Sequence, residues 1–92
     1  MNILEEAAKL IDGDRKGTYG EVSESFRRIA ALWSGYLGHR VTALDVANLM
    51  ILLKMSRTKG VFHRDSYVDT AGYAALAERL HDIESRGVVR ED

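Results

Sequence analysis

Proline is absent from all 92 residues, so the strongest breaks in the chain are its glycines, notably Gly13, Gly17, Gly20, Gly38, Gly60 and Gly87. Between these breaks lie helix-length segments, and the apolar residues within them recur every three or four positions, the period of an amphipathic helix. A first helix over 3–11 carries Ile3, Ala7, Leu10 and Ile11 on one stripe and stops near Gly13. A second, over 19–37, aligns Val22, Phe26, Ile29, Ala30, Trp33 and Leu37, which makes Trp33 a core residue rather than a ligand-stacking one. The third opens at Thr42, an N-cap residue with Asp45 placed to complete a variant of the capping box. From Val46 to Met55 it is apolar almost all round, as a helix enclosed by neighbours or by a partner subunit would be. That makes it the expected central helix. A fourth, over 65–85, sets Val68, Gly72, Ala75, Leu76, Leu80 and Ile83 near one stripe.

The expected fold is all-α: an antiparallel bundle of four helices in one domain over 1–87, with a flexible tail over 88–92. A chain this short buries roughly 60–65% of its unfolded surface, so its core is thin and self-association would thicken it. A homo-oligomer is therefore expected. With 46% hydrophobic and 29% charged residues, the composition is that of an ordinary soluble protein. Thirteen cations against fourteen anions leave no surplus for binding along an extended nucleic acid. No cysteine is present, which excludes disulfides and thiolate metal sites, and the charged N-terminus lacks the apolar run of a signal peptide or membrane span. No membrane association and an intracellular location follow as expectations.

The stretch RKGTYGEVSESF, residues 15–26, is chemically richer than a helix connector needs to be. Arg15 and Lys16 supply positive charge, Gly17 and Gly20 permit unusual backbone angles, and Tyr19 can stack on a base. Neither a Walker loop nor a G-x-G-x-x-G motif occurs. Glu21 and Glu24 form E-x-x-E, a spacing that can share a hard cation such as Mg²⁺ and is also common on solvated helix faces. In HRDSYVDTAGY, Asp65, Asp69 and Tyr73 form a polar ridge on the fourth helix. Lys54 falls on the apolar side of the third helix, so its stem packs while the ammonium reaches water, or the charge meets a carboxylate or a ligand phosphate; Arg57 lies one turn on. His63, before the fourth helix, reads as a capping or solvent residue.

The segments AAKLIDGDRKGTYGEVSESFRRIAALWSGYLG, DVANLMILLKMSR and HRDSYVDTAGYAALA resemble a family of small, uncharacterised phage and prophage proteins over nearly the whole chain. That resemblance implies a phage accessory protein acting in the host cytoplasm. More distantly, an E-x-x-E helix followed by an acid-bearing helix resembles the MazG-like all-α nucleotide pyrophosphohydrolases, which bind a nucleoside triphosphate through carboxylate-held Mg²⁺. This second resemblance implies metal ligands at Glu21, Glu24 and Asp69, while the family's remaining glutamate position falls on Ser66.

Three functional readings result. The first is binding of a nucleotide or other phosphate-bearing small molecule by Arg15, Lys16, Tyr19, Lys54, Arg57, Asp69 and Tyr73. The second is Mg²⁺-dependent pyrophosphohydrolysis, and no cofactor is implied outside it. In the third, the protein is a helical protein–protein interaction module without a ligand. No catalytic residue is assigned in any of them.

Overall fold

The computed structural model describes the backbone of residues 1–12 and 19–88, and the side chains of 1–10 and 22–85. Among these residues it contains four α-helices and no strand: α1 (Ile3–Asp12), α2 (Tyr19–Leu37), α3 (Ala43–Ser56) and α4 (Arg64–Val88).

Local chemistry explains most of the boundaries. Asn2 Oδ1 accepts from the Glu5 N–H at 2.8 Å and Glu5 Oε1 accepts from the Asn2 N–H at 2.9 Å, which satisfies free donors at the start of α1. α2 stops at Gly38, whose φ of 66° is left-handed, while the N–H groups of Gly38 and His39 both donate to the Ser34 carbonyl. The Ser34 hydroxyl then pins the connector by accepting from the Val41 N–H at 2.7 Å and donating to the Val41 carbonyl. α3 opens with the expected capping box between Thr42 and Asp45, both bonds 3.0 Å long. Gly60, with φ of 77°, makes the second left-handed turn, between α3 and α4. Gly87 does not act as the expected stop, because α4 runs through it to Val88. Of the expected tail over 88–92, Val88 closes α4 and 89–92 lie outside the described residues.

The core is a buried cluster of Phe26, Ala30, Ala43, Val46, Ala47, Leu76 and Leu80, edged by Val22, Ile29, Trp33, Val41, Met50, Tyr73 and Ala77. Trp33 thus belongs to the core's margin rather than to its centre. α3 and α4 run antiparallel: the Ala43 N–H donates to Glu84 Oε2 at 3.0 Å near one end, and Lys54 meets Asp69 near the other. α4 also carries α1, whose Glu6 pairs with Arg64 at 2.7 Å. In addition, α4 reaches α2 through the Phe26 and Tyr73 rings, whose centroids are 6.0 Å apart.

α3 and α4 share the centre: α4 packs against α3 and α1, and α3 packs against α4 and α2. α4 carries small residues, Ala71, Gly72 and Ala75, that let neighbours approach from more than one side. Within this chain, α3 keeps one uncovered face, and Leu49, Leu52 and Leu53 remain 43%, 64% and 53% exposed.

Candidate functional site

The polar features of the interior gather where α4 faces α3 and α2. Lys54 Nζ lies 3.0 Å from Asp69 Oδ2, with the lysine side chain 16% exposed and the aspartate 41%. α3 sets the ammonium on its packed side, and α4 presents the carboxylate one turn before Tyr73. Of the two alternatives open to Lys54, the carboxylate partner is the one realised. The pair is half-wet, which suits a charge that must leave water only in part.

One turn before each aromatic of the Phe26–Tyr73 pair stands a hydroxyl: Ser23 on α2 and Thr70 on α4. Ser23 is 2% exposed, and among the described residues neither Ser23 Oγ nor Thr70 Oγ1 has a hydrogen-bond partner. A buried hydroxyl left unpaired costs about 1–3 kcal/mol, so these two atoms are the interior positions where an incoming polar group would gain most. Sequence reasoning passed over both, although a serine three residues before Phe26 on an apolar stripe was a visible signal.

Other candidates separate. Arg57 caps α3 through its own N–H, and its side chain is exposed, apart from the Lys54–Asp69 pair. Glu24 is exposed, whereas Arg15 and Lys16, with the side chains of Tyr19 and Glu21, lie outside the described residues. Ser66, on the glutamate position of the MazG-like pattern, is fully buried, and its hydroxyl shares a 2.6 Å hydrogen bond with His63 Nδ1. The pair stands at the start of α4, where His63 is expected as a capping or solvent residue, and the His63 carbonyl also accepts from the Ser66 N–H. Among the described residues no three His, Asp or Glu side chains stand together as a metal site.

Exposed apolar side chains form the other conspicuous feature. Besides the α3 leucines they include Leu32 and Tyr36 on α2, and Val61 and Phe62 in the connector before α4, where the Phe62 ring stacks on Tyr67 at 5.2 Å. No helix among the described residues is long and apolar enough to cross a membrane.

A family described as a domain of unknown function, DUF6378, matches residues 2–81, a span that holds α1, α2, α3 and most of α4. The chain belongs to this family. It is 50% identical over 91 residues to the Gene 55 protein of Mycobacterium phage D29, covering 98% of this chain and 60% of that protein. To the Gene 55 protein of Mycobacterium phage L5 it is 44% identical over 82 residues, covering 87% of this chain and 53% of that protein. The chain thus spans little more than half the length of these two relatives. No solved structure matches it. Family membership accounts for the resemblance to small phage proteins.

Proposed function

We propose that this DUF6378 protein is a phage accessory protein that acts in the host cytoplasm as a helical interaction module, with α3 presenting the docking face. One observation carries the reading: Leu49, Leu52 and Leu53 share a helix face and are left uncovered by the chain's own fold. Leucines at i, i+3 and i+4 are the anchors by which an amphipathic helix engages another apolar helix face. The site test is photo-crosslinking in phage-infected cells that produce the chain with benzoylphenylalanine at position 52 or, as control, at the exposed α4 position 78. A discrete protein adduct, identified by mass spectrometry from position 52 and missing from position 78, is the expected result. Failure to form any adduct from position 52 would remove the reading.

A second reading is favoured by the Ser23 and Thr70 hydroxyls, which have no partner among the described residues. In it, a nucleotide or other phosphate-bearing molecule enters beside Phe26 and Tyr73, with Arg15 and Lys16 contributing charge and Lys54 shifting from Asp69 toward the ligand. A thermal-shift screen of nucleotides should then find a stabilising ligand whose effect is lost in Ser23→Ala and Thr70→Val. No shift with any nucleotide would set this reading aside. Pyrophosphohydrolysis would need Glu21, Glu24 and Asp69 to share Mg²⁺, and it predicts Mg²⁺-dependent conversion of a nucleoside triphosphate to its monophosphate and pyrophosphate in a separate turnover assay.

A further inference from the structure

The α3 face has a charge pattern as well as an apolar one. Exposed Asp45 stands at its start, exposed Arg57 caps its end, and Leu49, Leu52 and Leu53 lie between them with uncharged Asn48 and Ser56. The single charge inside that interval, Lys54, is turned to α4 and neutralised by Asp69. Twelve residues of helix separate Asp45 from Arg57 by about 18 Å, so the two charges sit at opposite ends of the leucine strip.

We infer that the partner this face fits is a second copy of the same chain, with the two α3 helices packed antiparallel about a twofold axis level with Ile51, beside Leu52. An isologous contact requires a surface complementary to itself, and an acid–leucine–base strip meets that requirement in one direction only. Antiparallel, Asp45 of each copy faces Arg57 of the other while Leu49 of each faces Leu53 of the other. In the parallel arrangement like charges would oppose at both ends, a mismatch that selects against that register. The inference rests on the interaction-module reading and names its partner. A strip one helix wide is smaller than the roughly 800 Å² per partner of a standard stable interface, so the pairing dissociates on dilution.

The test is sedimentation of the purified chain over a concentration series reaching tens of micromolar, for the wild type, Leu52→Glu, Leu53→Glu and Arg57→Glu. Leu52 and Leu53 are more than half exposed in the single chain, so their glutamate variants retain the helical circular dichroism of the wild type. The wild type is expected to be a reversible dimer. Either leucine variant shifts it to monomer, and Arg57→Glu weakens it at least tenfold. Because the chain has no cysteine, Leu52→Cys alone should form a disulfide-linked dimer under mild oxidation while Leu32→Cys, on α2, does not. A wild type that stays monomeric, or a dimer indifferent to all three charge variants, would overturn the pairing. If the wild type is monomeric yet position 52 crosslinks to a different protein in infected cells, the interaction module stands and self-pairing falls. A monomer without any adduct removes both.

Discussion

Gly38 ends α2 with φ of 66°, and a Cβ built there would meet nothing within 4 Å. Replacement therefore tests backbone strain alone: Gly38→Ala should lower stability by about 1–2 kcal/mol in urea unfolding, and Gly38→Asn by less, since Asn enters the left-handed region more readily. The Lys54–Asp69 pair behaves differently. Because Asp69 is 41% exposed, water screens the attraction, and Asp69→Asn should cost no more than about 1 kcal/mol. Lys54→Met keeps the packed stem without the charge and should shift stability by less than about 1 kcal/mol in either direction. A large loss in either variant would mean that the pair is drier in solution than its exposure indicates. Lys54 was legible in the sequence because a lysine on an apolar helix face must find an outlet. Its partner was not, since Asp69 becomes that outlet only through the α3–α4 register, a long-range property. Ser23 and Thr70 were missed because a hydroxyl is polar enough to pass as solvated and small enough to bury.

At the scale of elements, helix ends were the most legible part of the chain because their determinants are local. Thr42 with Asp45 and Gly38 after Leu37 act within four residues of where they stand. Thr42→Ala should accordingly cost about 1 kcal/mol, read as a lower urea midpoint with an unchanged slope. Burial was less legible. The periodicity of α2 puts Trp33 in mid-stripe, yet the indole packs only at the core's edge, whereas Leu80 of α4 is fully enclosed. Leu80→Ala should cost about 2–5 kcal/mol, and Trp33→Ala less than the roughly 3–5 kcal/mol of a fully buried aromatic. Gly87 lies in the last described turn of α4, one residue before its end, since a glycine permits a left-handed turn but does not impose one.

For the whole molecule, the Cα radius of gyration is 14.3 Å, against about 12 Å for a compact domain of this length, and the extents are 42 × 30 × 18 Å. The chain is flat, with α3 and α4 packed on each other, α1 against α4 and α2 against α3. In a molecule this thin, α3 keeps one uncovered face although it packs against both α2 and α4. The sequence contained the excess apolarity of α3 but not the direction from which cover would come, because that depends on which sides of α3 the other helices pack against. The central claim is that in solution this face is covered by a second copy. Hydroxyl-radical footprinting of the purified protein at tens of micromolar tests it most directly, since Leu52 and Leu32 are 64% and 66% exposed in the single chain and should otherwise react alike. Oxidation of Leu52 several-fold slower than that of Leu32, rising toward it on dilution, is the result the account predicts. Equal rates at every concentration would contradict it.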